Sequence, residues 1–94
     1  MLIPPPSEDE LKAGARAKVS LGRGNGDLWF YWEPVYDGKR GFEKVFTIEK
    51  TYAGGMTETR YNYPTYRQAI AEWDVTIRKH AVAIAEQALG IMKQ

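Results

Sequence analysis

The chain has 94 residues, with 13 basic and 12 acidic side chains, and its composition is ordinary for a globular protein. This length supports a single domain over 1–94 with one modest core, and a net charge of +1 gives no overall attraction to nucleic acid. The absence of cysteine excludes a disulfide framework and thiolate chemistry and fits a cytoplasmic protein. No apolar stretch approaches the ~20 residues of a membrane span.

The N-terminal segment combines three consecutive prolines with the spacing of a helix cap. Residues 1–6 are expected to be a flexible proline-rich lead. Ser7 is followed three residues later by Glu10, which is the spacing of a capping box. This pattern predicts a short helix over about 8–17.

Three dipeptides that favour tight turns divide the middle of the chain. They are Asn25-Gly26, Asp37-Gly38 and Gly54-Gly55. Between them apolar residues alternate with polar ones, which is the period of a half-buried strand. We therefore expect antiparallel strands over 18–23, 27–36, 42–53 and 56–63.

The register of these strands follows from the requirement that their apolar residues share a face. A two-residue turn after the first strand pairs Leu21 with Phe30. A three-residue loop, 38–40, pairs Phe30 with Ile48, and a two-residue turn after the third strand pairs Ile48 with Tyr61. All three turns place apolar residues on the same side, so that face is predicted to form the core.

A long helix is predicted after the last strand. Thr65 and Gln68 repeat the capping-box spacing, and apolar residues recur at steps of three and four from Tyr66 onwards. This predicts one helix over 66–89 that ends at Gly90 and covers the core face. The expected fold is α+β: an antiparallel β-meander of three to four strands, one long C-terminal helix packed on one face, and a short N-terminal helix.

The opposite face of this sheet is expected to be open, because only one long helix is available to cover it. Aromatic anchors inside a polar rim are typical of a protein-binding surface. If the N-terminal helix instead lies here through Leu11 and Ala15, the surface is covered. A homodimer through this face is one form of the binding hypothesis. The predicted partner-binding residues are an apolar group, Trp29, Tyr31, Val35 and Val45, and an acidic border, Glu33, Glu43 and Glu49.

Basic residues gather in a different part of the sequence. No acidic residue interrupts the segment 12–23, and two further cations are expected at a hairpin tip. Such side chains can hold phosphates without base specificity, or can simply be solvated surface charges. The candidate nucleic-acid-binding residues are Lys12, Arg16, Lys18, Arg23, Lys39 and Arg40.

The sequence offers no combination of residues typical of an enzyme. His80 is the only histidine, and its place near the edge of the apolar stripe favours a packing role. Gly22, Gly24 and Gly26 resemble a phosphate loop, but Asp27 stands where that motif needs its last glycine. We therefore predict no catalytic residue, no cofactor and no metal site.

One resemblance concerns the junction between the sheet and the long helix. The run Tyr63, Thr65, Ala69, Trp73 and Asp74 after the strands resembles the corresponding junction of plant AP2-type DNA-binding domains and phage-integrase arm-binding domains. That resemblance implies a three-stranded sheet that lays basic and aromatic side chains in the major groove. In this chain the corresponding face is expected to carry four carboxylates against the single Arg60, and carboxylates repel phosphate. They are Glu33, Glu43, Glu49 and Glu58.

A second resemblance is one of architecture. A small, cysteine-free α+β chain with an aromatic and acidic sheet face resembles phage-encoded inhibitors of host defence, including anti-CRISPR proteins. This implies a non-enzymatic inhibitor that docks a protein partner belonging to a nucleic-acid-handling complex. The sequence therefore favours protein binding through the open face. The alternative is a small DNA-binding regulator that uses the basic N-terminal segment and the hairpin loop.

Overall fold

The computed structural model describes residues 3–39 and 41–90, without the side chains of Asp37 and Phe42. Its strands form one antiparallel sheet in the order β1-β2-β3-β4, which confirms the α+β meander. Helices precede and follow the sheet. The elements are α1 Glu8–Lys12, β1 Ala17–Ser20, β2 Asp27–Asp37, β3 Gly41–Thr51, β4 Thr57–Tyr63, α2 Tyr66–Lys79 and α3 Ala81–Ala88.

Two of the three predicted strand registers are confirmed. β2 and β3 pair with Phe30 opposite Ile48, and the pairing continues to Asp37 opposite Gly41. β3 and β4 pair with Ile48 opposite Tyr61. These pairs place the apolar residues of the three strands on one face, as expected from the alternation.

A bulge in the β3–β4 pair changes the orientation of one acidic residue. Lys50 pairs with Thr59, whereas Thr51 pairs with Thr57, so Glu58 is the extra residue between them. Glu58 forms an ion pair with Lys50, which lies on the helix side of the sheet. The expectation that Glu58 lies on the opposite face is therefore wrong, because the bulge interrupts the alternation.

The predicted register of β1 is also wrong. The structure places Ala17, and not Leu21, opposite Phe30. Leu21 instead belongs to a longer connection, 21–26, and is fully buried in the core. Because the displacement is an even number of residues, Val19 still lies on the core side. The predicted pairing of Leu21 with Phe30 fails because Leu21 reaches the core from the connection and not from the paired strand.

The core lies between one face of the sheet and the helices. Phe30 and Ile48 from the sheet pack with Leu11 of α1 and with Trp73 and Ile77 of α2. The ring centroids of Phe30 and Trp73 are 5.7 Å apart. Both α1 and α2 therefore lie on the same side of the sheet, and the alternative in which α1 covers the opposite face is wrong.

Residues 3–6 of the proline lead lie against α2, while residues 1 and 2 are outside the described part of the chain. The Trp73 indole Nε1 donates to the backbone oxygen of Ile3 at 2.8 Å, and the Tyr66 hydroxyl donates to that of Pro6 at 2.7 Å. Ile3 also packs against the core. Both donors belong to the buried side of α2. A tyrosine hydroxyl or tryptophan N–H in apolar surroundings needs a hydrogen-bond partner, and the backbone oxygens of the lead supply it.

The N-terminal cap is confirmed, but α1 is shorter than predicted. The Ser7 side chain accepts from the Glu10 backbone, and the Glu10 carboxylate accepts from the Ser7 backbone at 3.0 Å. The helix ends at Lys12 because Gly14, at φ 103°, turns the chain towards β1.

The predicted long C-terminal helix is interrupted at His80, whose φ and ψ are −109° and 17°. The bend allows α3 to pack on the β1–β2 connection. A Cβ placed on Gly22 would lie 2.5 Å from the backbone oxygen of Ala83, and Arg23 forms an ion pair with Glu86. Among the described helices, none is both long enough and apolar enough to cross a membrane.

Candidate functional site

The sheet face opposite α1 and α2, here called the helix-free face, carries all seven predicted partner-binding residues. They come from β2 and β3, and register pairs such as Trp29 with Glu49 and Val35 with Glu43 place them together. Their common orientation follows from strand alternation, since the residues between them in the middle of both strands, such as Phe30, Phe46 and Ile48, belong to the core. The seven are Trp29, Tyr31, Glu33, Val35, Glu43, Val45 and Glu49.

Two cations, Lys18 of β1 and Arg16 immediately before this strand, also lie on the helix-free face. Lys18 pairs with Trp29 in the register, and its Nζ lies 5.3 Å from the indole ring. The guanidinium of Arg16 lies 4.1 Å from the Tyr31 ring and 5.9 Å from the Trp29 ring. Sequence reasoning missed this placement and grouped both cations with the DNA-binding alternative. The signal was available, because residues 16 and 18 are an odd number of positions from Leu21, which was predicted to face the core.

Tyr31 is sealed by neighbouring side chains, so its expected exposure is wrong. Only 4% of it is exposed, with the guanidinium groups of Arg16 and Arg60 at 4.1 and 5.9 Å from its ring. Its hydroxyl donates to Glu49 Oε1 at 2.8 Å. Burial, followed by this hydrogen bond, raises the pKa of Tyr31 to about 12. Long basic side chains lie over apolar surface while their charges stay in water, which explains the cover.

Val45 is also buried, at 9% exposure, which corrects the second of the four expected exposures. Trp29 and Val35 are partly buried. The accessible part of the apolar patch is therefore reduced to two separated residues, Trp29 near β1 and Val35 on the β2–β3 hairpin.

The carboxylates near the centre of the face form a polar network. Glu33 forms an ion pair with Arg60 across the sheet. The hydroxyl of the fully buried Thr47 donates to Asn62 Oδ1 at 2.9 Å and lies 3.2 Å from Glu33 Oε1. These contacts link β2, β3 and β4, so the central acidic residues hold the face together in addition to carrying charge.

Glu49 accepts two hydrogen bonds on this face, from the hydroxyls of Tyr31 and Thr57. The bond from Thr57 is the largest contribution to a lowered Glu49 pKa, with burial opposing it and Tyr31, Arg60 and Arg16 adding to it. Hydrogen bonds and nearby cations favour the charged carboxylate. Glu49 is therefore ionised in the folded protein at neutral pH.

A shallow depression of about 410 Å³ lies at the β1 end of the helix-free face. The half-buried Trp29 forms part of its wall. The guanidinium of Arg16 above the indole and the carboxylate of Glu49 beside it supply opposite charges. Its lining residues are Arg16, Trp29, Glu49, Thr51 and Gly55. An indole at the edge of a polar depression can bury apolar area and hydrogen-bond at its rim.

The other end of the helix-free face lies on a two-stranded part of the β2–β3 hairpin. β1 pairs with β2 only as far as Phe30, and β4 pairs with β3 only from Phe46. Val35 and the exposed Glu43 lie beyond both limits. Pro34 lies there too, where its missing N–H costs no bond to β1.

Two of the basic candidates are engaged away from the helix-free face. Lys12 forms an ion pair with Glu8 at 2.9 Å, and its Nζ lies 5.9 Å from the Trp32 ring on the core side. Arg23 donates to Glu86 of α3 through Nε at 2.8 Å. These side chains hold helices to the rest of the fold, and their charges are compensated within the chain.

The remaining basic candidates do not join them in one patch. Lys18 lies 3.9 Å from the Asp27 carboxylate. Lys39 is exposed in the β2–β3 connection, and Arg40 falls outside the described residues. The structure thus divides the described basic candidates among α1, the helix-free face, the β1–β2 connection and the hairpin.

His80 lies on the other side of the sheet, in a groove between α2 and β4. Burial, followed by the nearby cations of Lys50 and Lys79, lowers its pKa, so the imidazole is neutral at pH 7. Across 3–39 and 41–90, no three residues among histidines and carboxylates are grouped in a way that could hold a metal ion.

The Glu49 network leads to a prediction about acid stability. A lowered pKa in the folded state adds stability that is complete above the ordinary value, about 4.5, and is lost as the pH falls through the folded value. We expect Glu49→Gln to lose stability at pH 7 and to show a shallower decline as the pH falls below the ordinary value of about 4.5. Urea titrations at several pH values measure both, with Glu43→Gln on the same face as the control. A decline as steep as in the wild type would contradict the prediction.

Comparison of the chain with models of protein families, with curated proteins and with solved structures finds no match in any of the three. Its function is therefore inferred from its residues and their geometry.

Proposed function

We propose that the chain is a non-enzymatic, cytoplasmic binding protein that docks a protein partner on the helix-free face. The observation that carries the proposal is the half-buried Trp29 beside its depression, on a sheet face that no helix within residues 3–39 and 41–90 covers. Aromatic anchors flanked by hydrogen-bonding groups contribute most of the energy in many protein interfaces. The depression supplies both parts of this arrangement.

The charges on the face favour a partner whose surface presents both signs. Near Trp29 lie the cations of Arg16 and Lys18, of which Lys18 is 3.9 Å from the Asp27 carboxylate, while the hairpin end presents the exposed Glu43. Charge complementarity at the rim of an interface mainly sets its specificity and rate of association. A partner from a nucleic-acid-handling complex, inhibited by this chain, is the finer form of the proposal. Its supports are the resemblance in architecture and the carboxylate at the hairpin end, which suits a basic surface.

The test is a pair of matched surface variants. The double variant Trp29→Ala, Val35→Glu alters both accessible contacts of the helix-free face, and Val82→Glu alters an exposed apolar residue of α3. A native-host protein that co-purifies with the wild type should bind again when purified, and its affinity should fall by at least about tenfold only in the double variant. Equal binding by all three proteins would contradict the proposal.

The same proteins distinguish the DNA-binding alternative. Arg16 and Lys18 lie over Trp29 and therefore cannot separate the two hypotheses, so Lys39→Glu is the suitable variant. Binding to duplex DNA, lost in Lys39→Glu and in higher salt but kept by the double variant, would show that phosphate contacts carry the function. If the helix-free face carries it, Lys39→Glu should keep the affinity for the protein partner.

A further inference from the structure

A second surface lies at the β4 edge of the sheet, and the inference from it does not rest on the proposed function. We propose that two copies of the chain pair through β4, as a twofold-symmetric dimer with one continuous sheet. The paired elements are β4 with β4 and the flank of α2 with the flank of α2. The helix-free face is not consumed by this pairing.

β4 is the last strand of the sheet, and within the described part of the chain nothing pairs with its outer edge. An unpaired edge presents backbone donors and acceptors that another strand can satisfy. Natural proteins protect such edges with charges, prolines or a covering segment. In β4 the two charged residues are already engaged, Glu58 with Lys50 and Arg60 with Glu33. The edge therefore has no uncompensated charge to oppose a second strand.

The groove beside this edge exposes two large apolar side chains. Its volume is about 390 Å³, and it lies between α2 and β4. Tyr61 of β4 is 51% exposed and Val75 of α2 is 60% exposed, and both line the groove. Their exposure contrasts with Ile77 on the same helix, which is fully buried. A second copy at the edge would bury both residues.

The flank of α2 along the groove is complementary to itself. Glu72, Val75, Thr76 and Lys79 all line the groove, at the i, i+3, i+4 and i+7 positions of one helix flank. Around a twofold axis the two helices run in opposite directions, so Glu72 of one copy faces Lys79 of the other, and the reverse. Val75 and Thr76 then lie at the centre of the contact. This self-complementarity favours a second copy over a different protein as the occupant of the groove.

The strand pairing that fits this axis places Tyr61 opposite Tyr61 of the second copy. In that register Arg60 lies opposite Asn62, and Thr59 opposite Tyr63, with no like charges directly opposed. Aromatic cross-strand pairs stabilise antiparallel sheets. Because Tyr61 lines the same groove as the α2 flank, one axis beside Tyr61 serves both the strand pair and the helix pair.

Charge reversal tests the pairing directly. In Glu72→Lys or Lys79→Glu, like charges face each other at both symmetric contacts, so the dimer dissociation constant should rise by at least about tenfold. The double reversal Glu72→Lys, Lys79→Glu restores opposite charges and should return the constant to within about threefold of the wild type. Sedimentation velocity from about 1 µM to about 1 mM measures the constants.

Arg67→Glu, on the opposite flank of α2, is the matched control and should leave the dimer unchanged. Circular dichroism confirms that each variant is folded. A wild type that stays monomeric over the whole range, a double reversal no better than the single ones, or an equal effect of Arg67→Glu would each overturn the proposal. None of these substitutions touches the helix-free face, so failure here leaves the proposed function standing, and the Trp29 and Val35 variant can fail without affecting this dimer.

Discussion

Alanine in place of Trp73 should lower the free energy of unfolding by about 3 to 5 kcal/mol. Trp73 is 1% exposed and packs against Phe30 at the centre of the core. Its truncation leaves a cavity, and it also removes the Nε1 donor that binds the backbone oxygen of Ile3. The lead would then lose one of the two hydrogen bonds that join its described residues, 3–6, to α2. Urea titration followed by tryptophan fluorescence and far-UV circular dichroism measures the loss.

Trp29→Ala is the matched control, because the same side-chain type is truncated on the helix-free face. Trp29 is only partly buried and is contacted by the exposed side chains of Arg16 and Lys18, so its loss should cost clearly less than that of Trp73. Equal losses would mean that the indole of Trp29 is packed as tightly as the core. The proposed docking site would then lack its anchor.

The sequence was sufficient for the β2–β3–β4 meander because the expected turns, together with the requirement of a common apolar face, select the registers that the structure has. Phe30, Ile48 and Tyr61 lie opposite one another as predicted. The same rule could not find the correct partner of Phe30 in β1, because Leu21 and Ala17 have the same parity. Both choices satisfy the alternation, and only the burial of Leu21 in the connection distinguishes them.

Two further features could not be predicted from the sequence pattern. They are the bulge at Lys50 and Thr51 and the bend at His80. Each depends on a contact between distant segments. Glu58 turns to the helix side to meet Lys50, and α3 turns to pack on Gly22. Hydrophobic periodicity describes the faces of one element, whereas these features are determined by what the element meets.

The composition of the candidate site was predicted, but not its exposure. All seven partner-binding residues share the helix-free face, because strand alternation determines the face on which each residue lies. Tyr31 is nevertheless buried by Arg16 and Arg60, which come from two other strand regions. A face without a helix can still be covered by its own long side chains. For that reason Trp29, at the end of the cationic cover, is a better anchor than Tyr31.

Gly26→Ala should be among the most damaging single-methyl additions in the chain. Gly26 has φ 87°, and a Cβ built there would lie 1.7 Å from the backbone oxygen of Thr51. Alanine therefore meets a left-handed backbone, costing about 1 to 2 kcal/mol, and a steric conflict with β3 that adds about 1 to 3 kcal/mol. Because the atom it meets is backbone, the end of the β2–β3 pair must move. Urea titration measures the total, and amide chemical shifts should change at Asp27 and Thr51.

Gly24→Ala separates the two contributions. Gly24 has a similar φ of 72°, but a Cβ there would have nothing within 4 Å. It should therefore show only the conformational part, about 1 to 2 kcal/mol, with unchanged shifts at Thr51. If the two variants lose the same stability, the close approach of Gly26 to β3 contributes nothing. A larger loss in Gly26→Ala would show that glycine is needed at this position for space as well as for its backbone conformation. The turn dipeptide Asn25-Gly26 in the sequence does not distinguish these two requirements.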